Sequence, residues 1–201
     1  TQNNWVANIF TTPYSDKIKH AFGDFDNDNF AEVRVSLNGR VEKTEDYTVT
    51  VQVGGANASA KVNVSSVKLV TKIEFGTPSD SLHVGDTKDV YIPIIGYDAE
   101  GNQLTPDELV DDENYNRINV TASQVYGTGP DQKVVIEKSG PYKGQLHITG
   151  VPENASSGSY AFFSAYLTST TGNNSYITLN VPILKTRIPD KVSVVTTNAP
   201  K

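Results

Sequence analysis

Glu45-Asp46-Tyr47-Thr48-Val49-Thr50-Val51-Gln52-Val53 is the stretch that decides the fold class. Tyr47, Val49, Val51 and Val53 fall at every second position, with polar residues between them. A period of two is the mark of a strand that buries one face and wets the other. Upstream, Val33, Val35 and Leu37 alternate with Glu32, Arg34 and Ser36. Downstream, Val62 and Val64 follow a Gly54-Gly55 turn. The pattern then continues through Val90, Ile92, Ile94, Ile118, Val120, Val134, Ile136, Leu146, Ile148, Phe162, Ser164, Tyr166, Ile177, Leu179 and Val181. Asn38-Gly39, Glu100-Gly101-Asn102, Gly127-Thr128-Gly129-Pro130 and Gly172-Asn173-Asn174 supply turn chemistry between the runs. Only the stretch from Thr105 reads as helix. Thr105 is placed to cap it, Pro106 to open it, and Asp107 and Glu108 to favour its positive end. One or two turns is all it supports.

The same stretch also sets the organisation. Glu45 to Val51 leads into a strand, a Gly/Asn turn and a second strand ending near Val67. Ser157-Gly158-Ser159-Tyr160-Ala161-Phe162-Phe163 leads into the same succession, ending near Leu184. Tyr47 and Tyr160 stand where immunoglobulin-like sandwiches place a tyrosine that closes a corner with its hydroxyl; packing at a strand end is the other reading. After each hairpin comes a connector running into a new first strand: Lys68 to Phe75, and Lys185 to Val194. The expectation is therefore an all-β chain of tandem immunoglobulin-like antiparallel β-sandwich modules. Residues 1–67 form the first, 68–185 the second, and 186–201 a tail or the start of a further one. The first is short for seven strands, so missing strands are expected there.

Composition narrows the function. Of 201 residues, 37% are hydrophobic and 20% charged, enough for packed cores and too little charge for disorder. The net charge is -6, and no run of Lys or Arg appears. That excludes a phosphate-backbone partner, so nucleic acid is not expected. The chain has no Cys, which removes disulfides, thiolate zinc sites and cysteine nucleophiles. Nothing reads as a signal peptide or a spanning helix, so membrane insertion is not expected. Thr1 in place of an initiator Met marks a processed or excised chain.

The sharpest chemical constellation is Gly23-Asp24-Phe25-Asp26-Asn27-Asp28-Asn29-Phe30-Ala31-Glu32-Val33. Acidic side chains occupy alternate loop positions just before a strand. Calcium takes six to eight hard oxygens on a turning backbone. Asp24, Asp26 and Asp28, the Phe30 carbonyl and Glu32 form the expected ligand set. Three alternating aspartates without a counter-ion repel one another. A solvated Asp/Asn turn is the simpler alternative. The loop is no EF-hand, because Asn29 replaces the required glycine and Val35 the terminal glutamate. It resembles the calcium loops of integrin-type propeller repeats, with Glu32 where those have Asp.

The other polar groups point to no chemistry. Asp107, Glu108, Asp111, Asp112 and Glu113 are explained by a helix start. His20, His83 and His147 stand singly, with no nucleophile elbow, paired-His zinc motif or phosphate loop. No catalytic residues are assigned, and an enzyme is not expected. Trp5 and the tyrosines are scattered and suit packing. Five Asn-X-Ser/Thr triplets, at Asn57, Asn63, Asn119, Asn154 and Asn173, are what a Ser/Thr-rich chain produces by chance.

Val70 to Thr105, VTKIEFGTPSDSLHVGDTKDVYIPIIGYDAEGNQLT, resembles the opening of bacterial immunoglobulin-like domains. Its marks are an initial strand, the Val84-Gly85-Asp86 turn, and a long strand ending in Tyr97-Asp98-Ala99-Glu100-Gly101-Asn102. Such repeats occur in surface-layer (S-layer) proteins, adhesins and wall-associated enzymes. The resemblance implies a structural module of a bacterial cell-surface protein that self-assembles into an array with copies of itself. Contact with cell-wall polymer would come through regions outside this chain. The alternative it allows is an adhesin segment or a carbohydrate-binding accessory of a secreted protein.

Overall fold

The computed structural model describes residues 6–169 and 175–188. It is nearly all β, with 47% strand and 6% helix. The strands are β1 (Asn8–Thr12), β2 (Ile18–Gly23), β3 (Glu32–Leu37), β4 (Glu45–Val53), β5 (Ala56–Val64), β6 (Lys72–Phe75), β7 (Leu82–His83), β8 (Val90–Tyr97), β9 (Ile118–Ser123), β10 (Tyr126–Gly127), β11 (Gln145–Gly150), β12 (Tyr160–Leu167) and β13 (Ser175–Leu184). Two single turns of helix, α1 (Pro106–Leu109) and α2 (Asp112–Tyr115), stand between β8 and β9. The Gly172–Asn174 turn, Trp5 and most of the 186–201 tail lie outside the described residues. None of the described helices is long and apolar enough to cross a membrane.

Four sheets result. The N-terminal strands form β1-β4-β5 and the ribbon β2-β3. The remainder form β6-β8-β11-β10 and β7-β13-β12-β9. In the second pair, β6-β8-β11-β10 follows the strand order A-B-E-D of an immunoglobulin constant-type sandwich, and β9-β12-β13 the order C-F-G. Short β7 adds to β13 in parallel, Leu82 opposite Ile183. The chain is thus immunoglobulin-like in topology.

Alternation in sequence becomes alternation in burial. Along β8, Val90, Ile92 and Ile94 are buried while Tyr91, Pro93 and Ile95 are half-buried. Leu146 and Ile148 of β11 are fully buried. β12 runs opposite to the expected phase. Ala161, Phe163, Ala165 and Leu167 point inward, while Phe162 and Tyr166 face outward, each 38% exposed. Ser164 is also buried and bonds Thr121 Oγ1 at 2.7 Å. The two tyrosines at the echoed positions differ as well. Tyr47 packs with Ile18, Val41 and Val64, whereas Tyr160 is 58% exposed.

By internal contacts the chain forms two compact units. One comprises residues 1–74, 95–119 and 166–175; the other comprises 75–94, 120–165 and 176–201. Residues 1–67 and the 95–119 segment therefore belong to one unit, and the polar groups that join them are described next.

Candidate functional site

The acidic loop joins β2 to β3. Its hairpin is held in register from Ile18↔Leu37 to Gly23↔Glu32. Between the strands the chain turns through Asn27 and Asn29, both at positive φ (63° and 69°). Asparagine is among the residues that tolerate this left-handed region best. Each turn is tied by an aspartate. Asp28 N–H donates to Asp24 Oδ1 and to Asp26 Oδ1, both at 3.2 Å, and Asn29 N–H donates to Asp24 Oδ2 at 3.1 Å. Phe30 N–H donates to Asp28 Oδ1 at 2.8 Å. The consequence is convergence: Asp24, Asp26 and Asp28 bring carboxylate oxygens within 4.8 Å of one another.

Glu32 stands apart from that trio. Its carboxylate accepts the Phe25 N–H at 3.0 Å and so closes the base of the loop. The Phe25 ring in turn lies under the Arg34 guanidinium, 4.3 Å from the ring centroid. Phe30 ends the turn and is 72% exposed. Three hard, anionic oxygens on an open loop fit the donor chemistry of a calcium-type ion.

A second polar assembly, which sequence reasoning did not find, joins residues 1–67 to the 95–119 segment within one unit. Its centre is Asn114, 0% exposed. The side-chain amide donates to the carbonyls of Lys68 and Glu108, each at 2.8 Å, and its oxygen accepts the Val70 N–H at 2.9 Å. Lys68 has φ 69°, a conformation that costs an L-residue about 1 kcal/mol. It is held there from both sides. Lys68 N–H donates to Asp98 Oδ2 at 3.3 Å, and its carbonyl also accepts Arg40 Nη1 at 3.1 Å.

Asp98 is almost fully buried. Burial alone would raise its pKa. The N–H and side-chain amide of Asn102 and the N–H groups of Lys68 and Glu100 outweigh that and hold the carboxyl below its ordinary range. Arg40 pairs with Asp111 at 2.7 Å, and its N–H donates to Glu113 at 2.9 Å. Lys68 Nζ meets Glu108 at 3.0 Å. Glu42, its side chain 7% exposed, accepts Arg117 Nη2 at 2.7 Å and also the Ser169 hydroxyl.

The acidic cluster between 107 and 113 thus has two employments. Thr105 and Glu108 form a reciprocal capping box on α1, and Asp111 caps α2. The same carboxylates receive Arg40 and Lys68. The only sequence signal for the second use was an isolated cation, Arg40, directly after the Asn38-Gly39 turn.

Two of the three histidines, His83 and His147, have structural partners. His83 Nδ1 lies 2.6 Å from the Lys185 carbonyl, and His147 lies 2.9 Å from both Asp89 and Glu137. At the start of the tail, Arg187 bonds Asp86 at 2.6 Å and Asp80 at 3.1 Å. Asp80 is lowered to about 2, chiefly by its hydrogen bond from Lys88, then by the Ser81 N–H, with Arg187 adding to it.

No family model matches the chain, and no curated protein does. Solved structures with a related arrangement include domains 5–6 of the S-layer protein SbsC, at 17% identity and TM-score 0.33 over 91% of this chain and 82% of that one. Extracellular domains 3–5 of Drosophila OTK follow at 9% and 0.31, over 90% and 52%. Cadherin domains 1–5 of protocadherin gamma B2 match at 14% and 0.34, over 84% and 32%. None of these likenesses is close enough to say what this chain does.

Proposed function

We propose that this chain is a structural piece of an extracellular bacterial surface protein of the S-layer kind, self-assembling into an array with copies of itself. Its modules divide near residue 67 and act as stiff spacers and contact faces. The observation that carries this reading is the polar assembly around Asn114. It fixes residues 1–67 against the 95–119 segment through buried, multiply bonded groups. A loose joint adds ordering entropy to every contact formed, and array contacts are individually weak.

Calcium is the proposed stiffening ion, at Asp24, Asp26 and Asp28 with the Phe30 carbonyl and Glu32. An ion bound only to the folded state adds RT ln(1 + [L]/Kd), about 2.7 kcal/mol at a hundredfold excess over Kd. At about 2–4 °C per kcal/mol for a chain of this size, that raises the melting temperature by several degrees. Asp26→Ala is expected to erase the response. A wild-type melting temperature that chelator and added calcium leave unchanged would reduce the loop to a turn. Calcium-dependent lattices of the parent protein on a supported surface, lost when residues 1–185 are deleted, are the expected result for the array itself.

One observation favours a second reading. Tyr160, Phe162 and Tyr176 are exposed, and neither β12 nor β13 contains a charged residue. An uncharged face with aromatic side chains suits a neutral glycan, as in an adhesin or a carbohydrate-binding accessory. Saturable binding of a defined neutral glycan, lost in Phe162→Ala, would move the assignment there.

A further inference from the structure

The N-terminal sheets repeat, strand for strand, the last five strands of the second sandwich. β1-β4-β5 corresponds to β9-β12-β13, and β2-β3 corresponds to β10-β11, in the same chain order. The ribbons β2-β3 and β10-β11 are both antiparallel. The second sandwich has three strands more, and all precede β9. β8 pairs along β11 from Val90↔Ile148 to Pro93↔Gln145, β6 lies beyond β8, and β7 adds to β13. Among the described residues, no strand takes the place of β8 beside β3 or of β7 beside β5.

Beneath those two free edges runs an apolar groove of about 190 Å³, lined by Val33, Val35, Val49, Val51, Ala60 and Val62 among others. It continues the hydrophobic core, since Val35 and Val62 pack on the buried cluster of Ile18, Val41, Tyr47 and Val64. In the second sandwich the corresponding ground is closed: Leu146 and Ile148 of β11 are 0% exposed, and Val90 and Ile92 of β8 are 1% and 0%. In the first, Val33, Val35 and Val51 stay half-exposed and Ala60 is open. A free edge beside an apolar groove is a template for strand addition.

We infer that this groove is the seat of two further strands of this protein's own polypeptide, ahead of β1 in chain order as β7 and β8 are ahead of β9. The occupant beside β3 is an uncharged strand with branched apolar residues at alternate positions, the chemistry of Val90-Tyr91-Ile92-Pro93-Ile94. The internal correspondence between the two sets of strands is independent of the function the chain serves. The groove is lined almost wholly by apolar side chains. A charged side chain in it would be desolvated without a partner.

The test adds a synthetic peptide of the Lys88–Asp98 sequence to the 201-residue chain and follows amide exchange across Glu32–Leu37. Saturable one-to-one binding is expected, with exchange in β3 slowed about ten-fold or more, equivalent to about 1.4 kcal/mol. Val35→Lys is expected to weaken the peptide about ten-fold while leaving the β12 and β13 amides protected as before. Unchanged β3 exchange at millimolar peptide overturns the inference. So does a wild-type chain that dimerises through protected β3 amides and is returned to monomer by Val35→Lys, because the seat then belongs to a second copy.

Discussion

Asn114→Ala is expected to lower the free energy of unfolding by about 3 kcal/mol or more. The side chain is fully buried and satisfies three backbone groups, the Val70 N–H and the carbonyls of Lys68 and Glu108. Alanine leaves all three without that partner, and each buried group stripped of its partner costs about 1–3 kcal/mol. Arg40 still reaches the Lys68 carbonyl, which places the total at the lower end of the sum. The loss does not stop at three bonds. Lys68 sits at positive φ because Asp98, Arg40 and Asn114 hold it there. Without the amide, the connector is free to relax toward an ordinary conformation. Urea denaturation followed by tyrosine fluorescence measures the change. Asn114→Asp separates shape from bonding: it keeps the acceptor for Val70 and loses both donors, so most of the loss should remain. A midpoint within experimental scatter of wild type would show that the assembly around Asn114 contributes nothing to stability.

The second large effect is expected at Glu42. Its carboxylate and the Arg117 guanidinium are nearly enclosed, with side-chain exposures of 7% and 14%. Arg117 Nε has no hydrogen-bond partner among the described residues, so the charge depends heavily on Glu42. Removing one partner of a buried pair leaves an uncompensated charge and costs about 3–5 kcal/mol. Glu42→Ala should therefore destabilise by about 3 kcal/mol. The hydrogen bond from the Ser169 hydroxyl to Glu42 is lost as well. The pair itself is a weaker source of stability than its breakage implies, because both ions are desolvated on folding. The double variant Glu42→Leu/Arg117→Met is accordingly expected to recover most of the loss. A single variant less than about 1 kcal/mol below wild type would mean that water reaches Arg117 after all.

These sites show what the sequence carried and what it did not. Strands were legible wherever one face is apolar and the other polar, as in Glu45–Val53 and in Gln145–Gly150. β12 was legible as a strand but not in phase. Tyr160-Ala161-Phe162-Phe163-Ser164-Ala165-Tyr166-Leu167 is apolar on both faces, so a period of two has two solutions. The structure buries the face with two alanines, and the large aromatics of the other face point out. The capping box at Thr105 was legible because all its parts lie within four residues. The use of Asp98 and Asn114 was not, since their partners at Lys68 and Val70 lie 30 and 44 residues away. In the acidic loop, the convergence of Asp24, Asp26 and Asp28 follows from their spacing, and the structure brings them together. Glu32 stands in the expected ligand set as a fourth carboxylate; its carboxylate also accepts the Phe25 N–H, a bond that spacing alone does not disclose. Missing strands in residues 1–67 are expected from length; among the described residues β3 and β5 are edge strands.

The bonds around Asn114 hold residues 1–67 in place on the 95–119 segment. Absence of cysteine makes this directly measurable, because two introduced cysteines are then the only sites a thiol-reactive spin label can take. Lys61 on β5 and Asn116 after α2 are both exposed and belong to the same compact unit. Lys61→Cys/Asn116→Cys, doubly spin-labelled, is to be measured by pulsed electron–electron resonance with and without calcium. One narrow distance distribution is expected under both conditions, broadened by adding Asn114→Ala. A broad or multiple distribution in the otherwise wild-type chain would contradict it.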